Sequence, residues 1–564
     1  MLNSYKHACV LGLLLSAFTS TGVFAQESLP FIPEEPPVSK PARTAENIAK
    51  GKAIYIKRCL PCHGENGASD GPVAVFLDPR PRDFRRGILK IKTTVWDAFP
   101  TDEDHFRILT RGIPGTAMPS WKALLSEEER WQVVFYEQAS FFPKEFDPNT
   151  PREAITVPAE PPTTPEGIAK GKEIFEKVAN CFICHGSEGR GDGAMIVALK
   201  DIWGNPVLPR NLTQSWKYKG GNEAKQIFTR ITTGIFSSGM PSFSDKRPDN
   251  PIKLSDEQRW DVAHYVKSLQ KQLKEFKDVI IKPKLVAGEI SLDPNDKIWD
   301  GVDYIDVPLS GQVTAPPRNQ HPSIDLLSVR TIYNGKDVAF LLEYDDRRPN
   351  TIHEEPLPGF SFMTEGVEPE AKEKRKTKSY ETYPVLYPPD IRPQGPYRDA
   401  VAIQVAVKIP DSPELPHFLL GSKEKPVNLY YWKADVDDDP TLGNSVEVLM
   451  ANGHKNPVTP IKTQSVSGKG AYSNGHWKVV MKRPMVSDDP ATFTPIESGT
   501  MVPISFHAWD GFNGEVGLRR SVSSWYFLFI EKSVPPAVYV YSGLAVVIAG
   551  ALEIFFIKRA RKKK

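Results

Sequence analysis

Three textures of hydrophobic and polar positions follow one another along the chain. Up to about residue 272 the texture is helical. Two segments there read as helix starts, Leu125-Ser126-Glu127-Glu128-Glu129-Arg130-Trp131 and Leu254-Ser255-Asp256-Glu257-Gln258-Arg259-Trp260. A serine in the cap position accepts from free backbone amides, and acids in the first turn face the positive end of the helix dipole. After about residue 285 the pattern becomes strand-like. Ala400 to Val407 is rich in valine and isoleucine, and Val338 to Tyr344, Trp477 to Met481, Val502 to Trp509 and Trp525 to Ile530 read alike. Asp510-Gly511 and Asn513-Gly514 supply turns between them. This pattern predicts an antiparallel β-sandwich over residues 285–532. Residues 346–398 form a long, Pro-rich, charged insertion, and its run Lys372-Glu373-Lys374-Arg375-Lys376 reads as a solvated face.

The third texture is a continuous apolar run from Val538 to Ile557 with one charge, Glu553. At ~1.5 Å per residue it covers ~30 Å, the thickness of a bilayer core. It predicts a transmembrane helix at residues 537–557 and a basic tail at 558–564. An excess of lysine and arginine marks the cytoplasmic side, so the tail is expected inside and everything before it outside. The competing reading of this run is a buried core helix.

Residues 1–25 read as a secretory signal: Lys6 starts it, Ala8 to Leu15 is apolar, and Val23-Phe24-Ala25 places small residues before the cut. An uncleaved anchor is the alternative, but the run is shorter than a span of ~20 residues requires. With 564 residues the chain is long enough for three or four domains, and its net charge of +2 gives no reason to expect nucleic acid as a partner. Proline is frequent, 52 residues, and much of it falls in linkers and loops such as the stretch at 143–162.

The five cysteines settle the chemistry. Cys9 leaves with the signal, and the others form Cys59-Leu60-Pro61-Cys62-His63 and Cys181-Phe182-Ile183-Cys184-His185. Cys-x-x-Cys-His is the attachment signature of haem c. Two thiols at that spacing reach the two vinyl groups of one haem, and the following histidine lies under the iron. A thioredoxin-like pair requires an α/β context that is missing, and a zinc site requires four ligands where each motif brings three. Two haem c groups are therefore expected, on Cys59 and Cys62 and on Cys181 and Cys184, with His63 and His185 as iron ligands.

The motifs open a repeat. Ile48-Ala49-Lys50-Gly51-Lys52 matches Ile168-Ala169-Lys170-Gly171-Lys172, Arg82-Asp83-Phe84 matches Arg210-Asn211-Leu212, and Met118-Pro119-Ser120-Trp121 matches Met240-Pro241-Ser242-Phe243. His63 to Met118 spans 55 residues, and so does His185 to Met240. A methionine is more often core filler than a ligand. The shared offset singles out these two, whereas Met195 lies too close to His185. His105 and His264 read as ordinary helix residues.

These features resemble the class I cytochromes c over residues 44–142 and 163–272. The resemblance implies a helical fold around each haem and axial pairs His63/Met118 and His185/Met240. Arg82 and Arg210 are then candidates to meet haem propionates; a plain surface charge is the alternative for both. Two strong-field ligands leave no open iron position, which favours electron transfer over peroxidase chemistry.

The strand-rich region resembles the haem-b-binding γ subunits of ethylbenzene dehydrogenase and related molybdoenzymes. The resemblance rests on Arg398-Asp399-Ala400-Val401-Ala402-Ile403-Gln404, His417-Phe418-Leu419-Leu420-Gly421, Pro426-Val427-Asn428-Leu429-Tyr430-Tyr431-Trp432-Lys433, Gly475-His476-Trp477-Lys478-Val479-Val480 and Phe506-His507-Ala508-Trp509-Asp510-Gly511, in that order. In that family a methionine and a lysine hold haem b. This chain has Leu420 and Arg520 at those places; leucine cannot ligate iron, and arginine stays protonated. Both departures point to loss of haem b, with His417, His507 or Met450 as the substitutes that remain.

Together the parts resemble the membrane-associated γ subunit of nitrite oxidoreductase and its relatives. That resemblance implies a non-catalytic electron-transfer subunit outside the cytoplasm, between iron–sulfur and molybdenum subunits and a soluble cytochrome c or terminal oxidase. The rival readings are a stand-alone dihaem enzyme such as a peroxidase, and a tethered cytochrome whose sandwich only binds a carbohydrate or a protein. The aromatic run Tyr430-Tyr431-Trp432 hints at the latter, although core packing is its plainer explanation.

Overall fold

In the computed structural model the described residues run from 39 to 561, apart from 352–396 and short stretches at 75–76, 78, 147–151, 198–206, 237, 245–249, 274–278, 316–317, 320–321, 411–413, 488, 490–492 and 533–535. The signal at 1–25, Cys9 and the basic run at 372–376 lie outside them.

The repeat folds twice in the same way. In the first unit Ala45–Arg58 leads into the short helix Leu60–His63, followed by Asp102–Arg111 and Glu127–Phe141. In the second, Pro165–Glu173 continues through a π-helical turn, Ile174–Val178, to Phe182–His185, Ala224–Thr233 and Asp256–Ser268. The two helix starts expected at Ser126 and Ser255 are present as reciprocal caps: Ser126 accepts from Glu129 N and Ser255 from Gln258 N. Each last helix crosses the first helix of its unit. A Cβ on Gly51 would stand 1.9 Å from the Gln132 carbonyl oxygen, and one on Gly171 would stand 2.0 Å from that of Asp261. The glycine shared by the two Ile-Ala-Lys-Gly-Lys segments is therefore what lets the backbones touch. Behind each crossing an aromatic pair stacks, Phe106 on Trp131 at 4.3 Å and Phe228 on Trp260 at 4.4 Å.

Strands fill the next region in two sheets. One runs Ile280–Ile281, Tyr526–Phe529, Met501–Trp509, Ala400–Ala406, Val427–Lys433, Val446–Ala451, Thr459–Pro460. The other runs Ser467–Ser473, His476–Pro484, Asp337–Asp345, Leu326–Tyr333, Lys284–Leu285, with Tyr304–Pro308 also on Leu326–Tyr333. Val401, Ile403, Trp432, Phe340, Leu342 and Trp477 pack between them. The expected antiparallel sandwich is present with two amendments. Ile280–Ile281 starts the sheet before residue 285, and it and Lys284–Leu285 each pair parallel to their neighbour. Alternation along Ala400–Ala406 explains why the whole strand is buried: Ala400 and Ala402 face a second apolar layer containing Leu419, Leu420, Tyr431 and Trp509. Tyr430, Tyr431 and Trp432 are all core, each at most 1% exposed.

The second helical unit is clamped to the sandwich by ions. Asp345 accepts from Arg190 at 2.6 Å, Asn211 at 2.8 Å and Gln214 at 3.1 Å, and Lys217 pairs with Asp325 at 2.5 Å. Burial alone would raise the Asp345 carboxyl; His476 and Arg190 outweigh it and hold the group below the usual carboxylate range. The two helical units also meet each other, through Arg230 donating to the Lys90 carbonyl at 3.4 Å and Trp96 edge-on to Phe236 at 5.4 Å.

The apolar run forms the helix Pro536–Arg561, which extends beyond the expected 557 through Lys558 and Arg559. Its segment Val540–Arg561 is long and apolar enough to cross a membrane and has none of its surface covered by the rest of the chain, against the core-helix reading.

Candidate haem sites

Each Cys-x-x-Cys-His segment is one helical turn. Backbone bonds from His63 N to Cys59 O and from His185 N to Cys181 O, both 2.9 Å, set the histidine one turn past the first cysteine. All four cysteines are free thiols. Burial pushes all four up in pKa, Cys181 to about 12.

The histidines are oriented by the backbone of Arg82 and Arg210. His63 Nδ1 lies 3.2 Å from the Arg82 carbonyl oxygen, and His185 Nδ1 lies 2.9 Å from that of Arg210. With Nδ1–H donating to the carbonyl, Nε2 keeps its lone pair for a metal. Burial also lowers both imidazole pKa values, which favours the neutral form a ligand needs. The ring of His63 is stacked on Phe84, 4.6 Å between centroids. Phe84, two residues after Arg82, is thus part of the ring's support.

The methionine loops are braced identically. Ile113 N donates to Met118 O and Ile235 N to Met240 O, both at 3.0 Å. Ser120 Oγ bonds Thr110 O and Ser242 Oγ bonds Thr232 O, both at 2.6 Å. Gly112 and Gly234 start these loops at φ of 68° and 63°, where a Cβ would also strike the backbone of Pro119 or Pro241 at 2.5 or 2.7 Å.

One cavity of about 1590 Å³ takes in both sets. Cys59, Cys62, His63, Arg82 and Met118 line one end, and Cys181, Cys184, His185, Arg210 and Met240 line the other. Its volume exceeds the ~300–1,000 Å³ of a single small-molecule pocket. All ten residues singled out in the sequence thus come to one space. Arg210 is partly buried at the cavity wall, and that burial lowers its pKa to about 10, so it remains a cation at neutral pH. His105 is not an ordinary helix residue: it lines the cavity, with Nε2 2.7 Å from Glu137 and Nδ1 buried without a partner. His264, on the last helix of the second unit, is 3.2 Å from Glu160 and does not line the cavity. Met195 does not line it either.

A haem b pocket is not supported at the two positions the resemblance nominates. Leu420 is fully buried at φ 65°, its N–H donating to Gln404 Oε1 at 3.1 Å. Arg520 is fully buried with its guanidinium 5.1 Å over the Trp509 ring. Neither residue lines the large cavity, and neither carries an atom that can ligate iron. His417 Nδ1 accepts from Leu419 N at 3.1 Å and so caps its own turn. His507 is fully buried, and among the described residues both its ring nitrogens lack a hydrogen-bond partner.

Comparison with known proteins gives three family matches in series. Residues 46–136 match the family described as cytochrome c oxidase, cbb3-type, subunit III; residues 168–270 match cytochrome c; residues 296–458 match ethylbenzene dehydrogenase. A putative respiratory nitrate reductase heme subunit of Haloferax mediterranei is 34% identical over 244 residues, which are 43% of this chain and 69% of that protein. The dimethylsulfide dehydrogenase subunit gamma of Rhodovulum sulfidophilum is 28% identical over 253 residues, covering 43% of this chain and 77% of the relative. Among solved structures, a chain of the Kuenenia stuttgartiensis reducing HAO-like protein complex is 38% identical, with 39% of this chain and 96% of that one covered and a TM-score of 0.36. The chain belongs to the family of the Haloferax haem subunit, and joins cytochrome c-type domains to an ethylbenzene dehydrogenase-type domain.

Proposed function

We propose that this protein is a membrane-anchored dihaem cytochrome c that carries electrons for a respiratory oxidoreductase complex. The observation that supports it most is the shared cavity, in which two complete donor sets face one another across a single space. In this reading Cys59 and Cys62 hold one haem and Cys181 and Cys184 the other, by thioether bonds. His63 with Met118, and His185 with Met240, ligate the irons. Haem c supplies reversible one-electron exchange at an iron with no vacant position.

The chain's own residues do the rest. The carbonyls of Arg82 and Arg210 hold the imidazoles by Nδ1, and the braced methionine loops keep each sulfur at its post. The Arg210 side chain places a partly buried cation beside the cavity, where it can meet a propionate and favours the extra electron. The apolar walls exclude water, which limits reorganisation when charge moves. The matched methionines argue against an open iron.

The domain division belongs to the same reading: cytochrome units at 44–142 and 163–272, a linker between them, and the sandwich at 285–532. Two of the relatives found are named as a haem subunit of a nitrate reductase and as the γ subunit of a dimethylsulfide dehydrogenase, which supports iron–sulfur and molybdenum subunits as neighbours. A cytochrome or oxidase would be the other partner. The helix 540–561 anchors the assembly with the cytochromes outside the cytoplasm. Leu420 and Arg520 leave the sandwich without haem b, as a docking scaffold.

The test is acid-acetone extraction of purified full-length protein, followed by a pyridine haemochrome spectrum. Two covalent haems per chain and no extractable haem are expected. Fewer than two covalent haems would defeat the reading. An extractable haem would refute the loss of haem b and make His507 the first residue to replace.

A further inference from the structure

Three strands end together at one end of the sandwich, and each carries an aspartate just past its end. Asp346 follows the strand Asp337–Asp345, Asp399 precedes Ala400–Ala406, and Asp510 follows Met501–Trp509. The three side chains are at most 4% exposed, and one oxygen from each lies within 4.8 Å of the others. That spread suits oxygens around a single calcium-sized ion, whose bonds are ~2.3–2.6 Å.

Three like charges in so dry a place require compensation. The neighbours do not supply enough. Asp399 accepts from Asn350 N at 2.6 Å, Gly511 N at 2.9 Å and Trp477 Nε1 at 3.2 Å. Asp346 Oδ1 accepts from Arg348 N at 3.0 Å and Asp510 Oδ1 from Asn513 N at 3.1 Å. These are mostly neutral donors, and a fourth acid, Glu515, accepts from Asp510 N at 3.2 Å. Arg347 is the cation that faces the group electrostatically.

Oxygens beyond the cluster also lack partners. Tyr344 Oη is buried without a hydrogen bond, on a residue 1% exposed whose charge field is that of Asp399, Asp346 and Asp510 together. Asn350 Oδ1 is likewise buried and unbonded, whereas the Asp346 and Asp399 carboxyls are within hydrogen-bond reach of each other. Tyr344 and Asp346 lie on one face of their chain segment, since side chains alternate along a strand. Among the described residues the available donors are thus hard oxygens, carboxylate, amide and phenol. This is the donor set of a calcium-type ion and not of zinc or copper.

We propose that Asp346, Asp399 and Asp510 bind one divalent cation of the calcium class, which ties the ends of three strands from both sheets. Asp345, next to Asp346, clamps the second cytochrome unit, and Asp510 and Arg347 line the large cavity. The ion therefore also fixes the surface on which that unit is docked.

The experiment is elemental analysis of the haem-loaded full-length protein before and after dialysis against EGTA, with thermal melts of both samples. One calcium per chain, its loss to EGTA, a lower melting temperature and recovery on adding calcium chloride but not magnesium chloride are expected. Asp346→Asn should lose the bound calcium and the calcium-dependent rise in melting temperature while its haem absorbance stays unchanged. Less than a tenth of an equivalent of calcium, with melts indifferent to EGTA and to added calcium, would show that shared protons stabilise the cluster, and would overturn the proposal. If Asp346→Asn does not fold, the stoichiometry and the EGTA response of the unaltered protein decide the matter alone.

Discussion

Nδ1 of His185 lies 2.9 Å from the carbonyl oxygen of Arg210, and the same relationship holds between His63 and Arg82 at 3.2 Å. Arg210 thus bears on the site twice, by its backbone on the ligand and by its charge on the cavity.

The two contributions of Arg210 are separable. Arg210→Ala keeps the carbonyl and removes the cation. Haem attachment should persist, and the midpoint potential of one haem should fall by about 60 mV, the tenfold step of a one-electron couple. Arg82→Ala likewise keeps its carbonyl and should lower the potential of the other haem. Spectroelectrochemical titration of the two variants measures both shifts. An unchanged potential in Arg210→Ala, or loss of its haem, would contradict the separation.

The methionines are assigned by equivalent loops, and ligand-sensitive spectra can check each separately. Met118→Ala and Met240→Ala should each remove about half of the sulfur-to-iron absorption of the oxidised protein, and the double variant all of it. Met195→Ala, an exposed side chain away from the cavity, should change nothing. A single variant that erased the whole signal would mean that only one haem has a methionine ligand.

Gly51 and Gly171 are predicted to tolerate no side chain. Alanine at either position drives a methyl group into a carbonyl oxygen of the crossing helix. The cost should be ~1–3 kcal/mol or more, since overpacking at a backbone contact cannot be relieved by a rotamer change. Chemical denaturation followed by haem absorbance would register the loss. Unaltered midpoints in both variants would contradict the helix crossings described here.

Asp102 should make the first unit sensitive to acid. Burial raises its pKa, but Lys40, Arg152 and Gln138 more than offset this, and the net shift is downward. A carboxyl with a folded pKa below its unfolded value adds stability above the unfolded value, and that stability is lost as pH falls through the folded one. Asp102→Asn should therefore destabilise the protein near neutrality, with the difference shrinking below about pH 4. Melting curves of both proteins from pH 7 to pH 3 measure this; a constant gap would mean that the charge is irrelevant and only shape matters.

What the sequence determined by itself was whatever depends on short-range spacing. Cys-x-x-Cys-His closes on one helical turn, so Cys59, Cys62 and His63 are neighbours in any fold that keeps the turn. The offset shared by Met118 and Met240, the serine caps at Ser126 and Ser255, the alternating strands and the apolar run 538–557 were legible for the same reason: each is a periodicity or a cap that local geometry enforces. Tertiary structure alone decided what lies next to what across long separations. That the two donor sets share a cavity, that the carbonyls of Arg82 and Arg210 and not only their side chains serve the histidines, and that His105 reaches the cavity wall could not be read from spacing. A backbone carbonyl looks the same in every residue type, and the 163 residues between Asp346 and Asp510 carry no periodic sign that the two carboxylates meet. They meet because three strands of two sheets happen to end at one place, a consequence of packing the whole core rather than of any one segment.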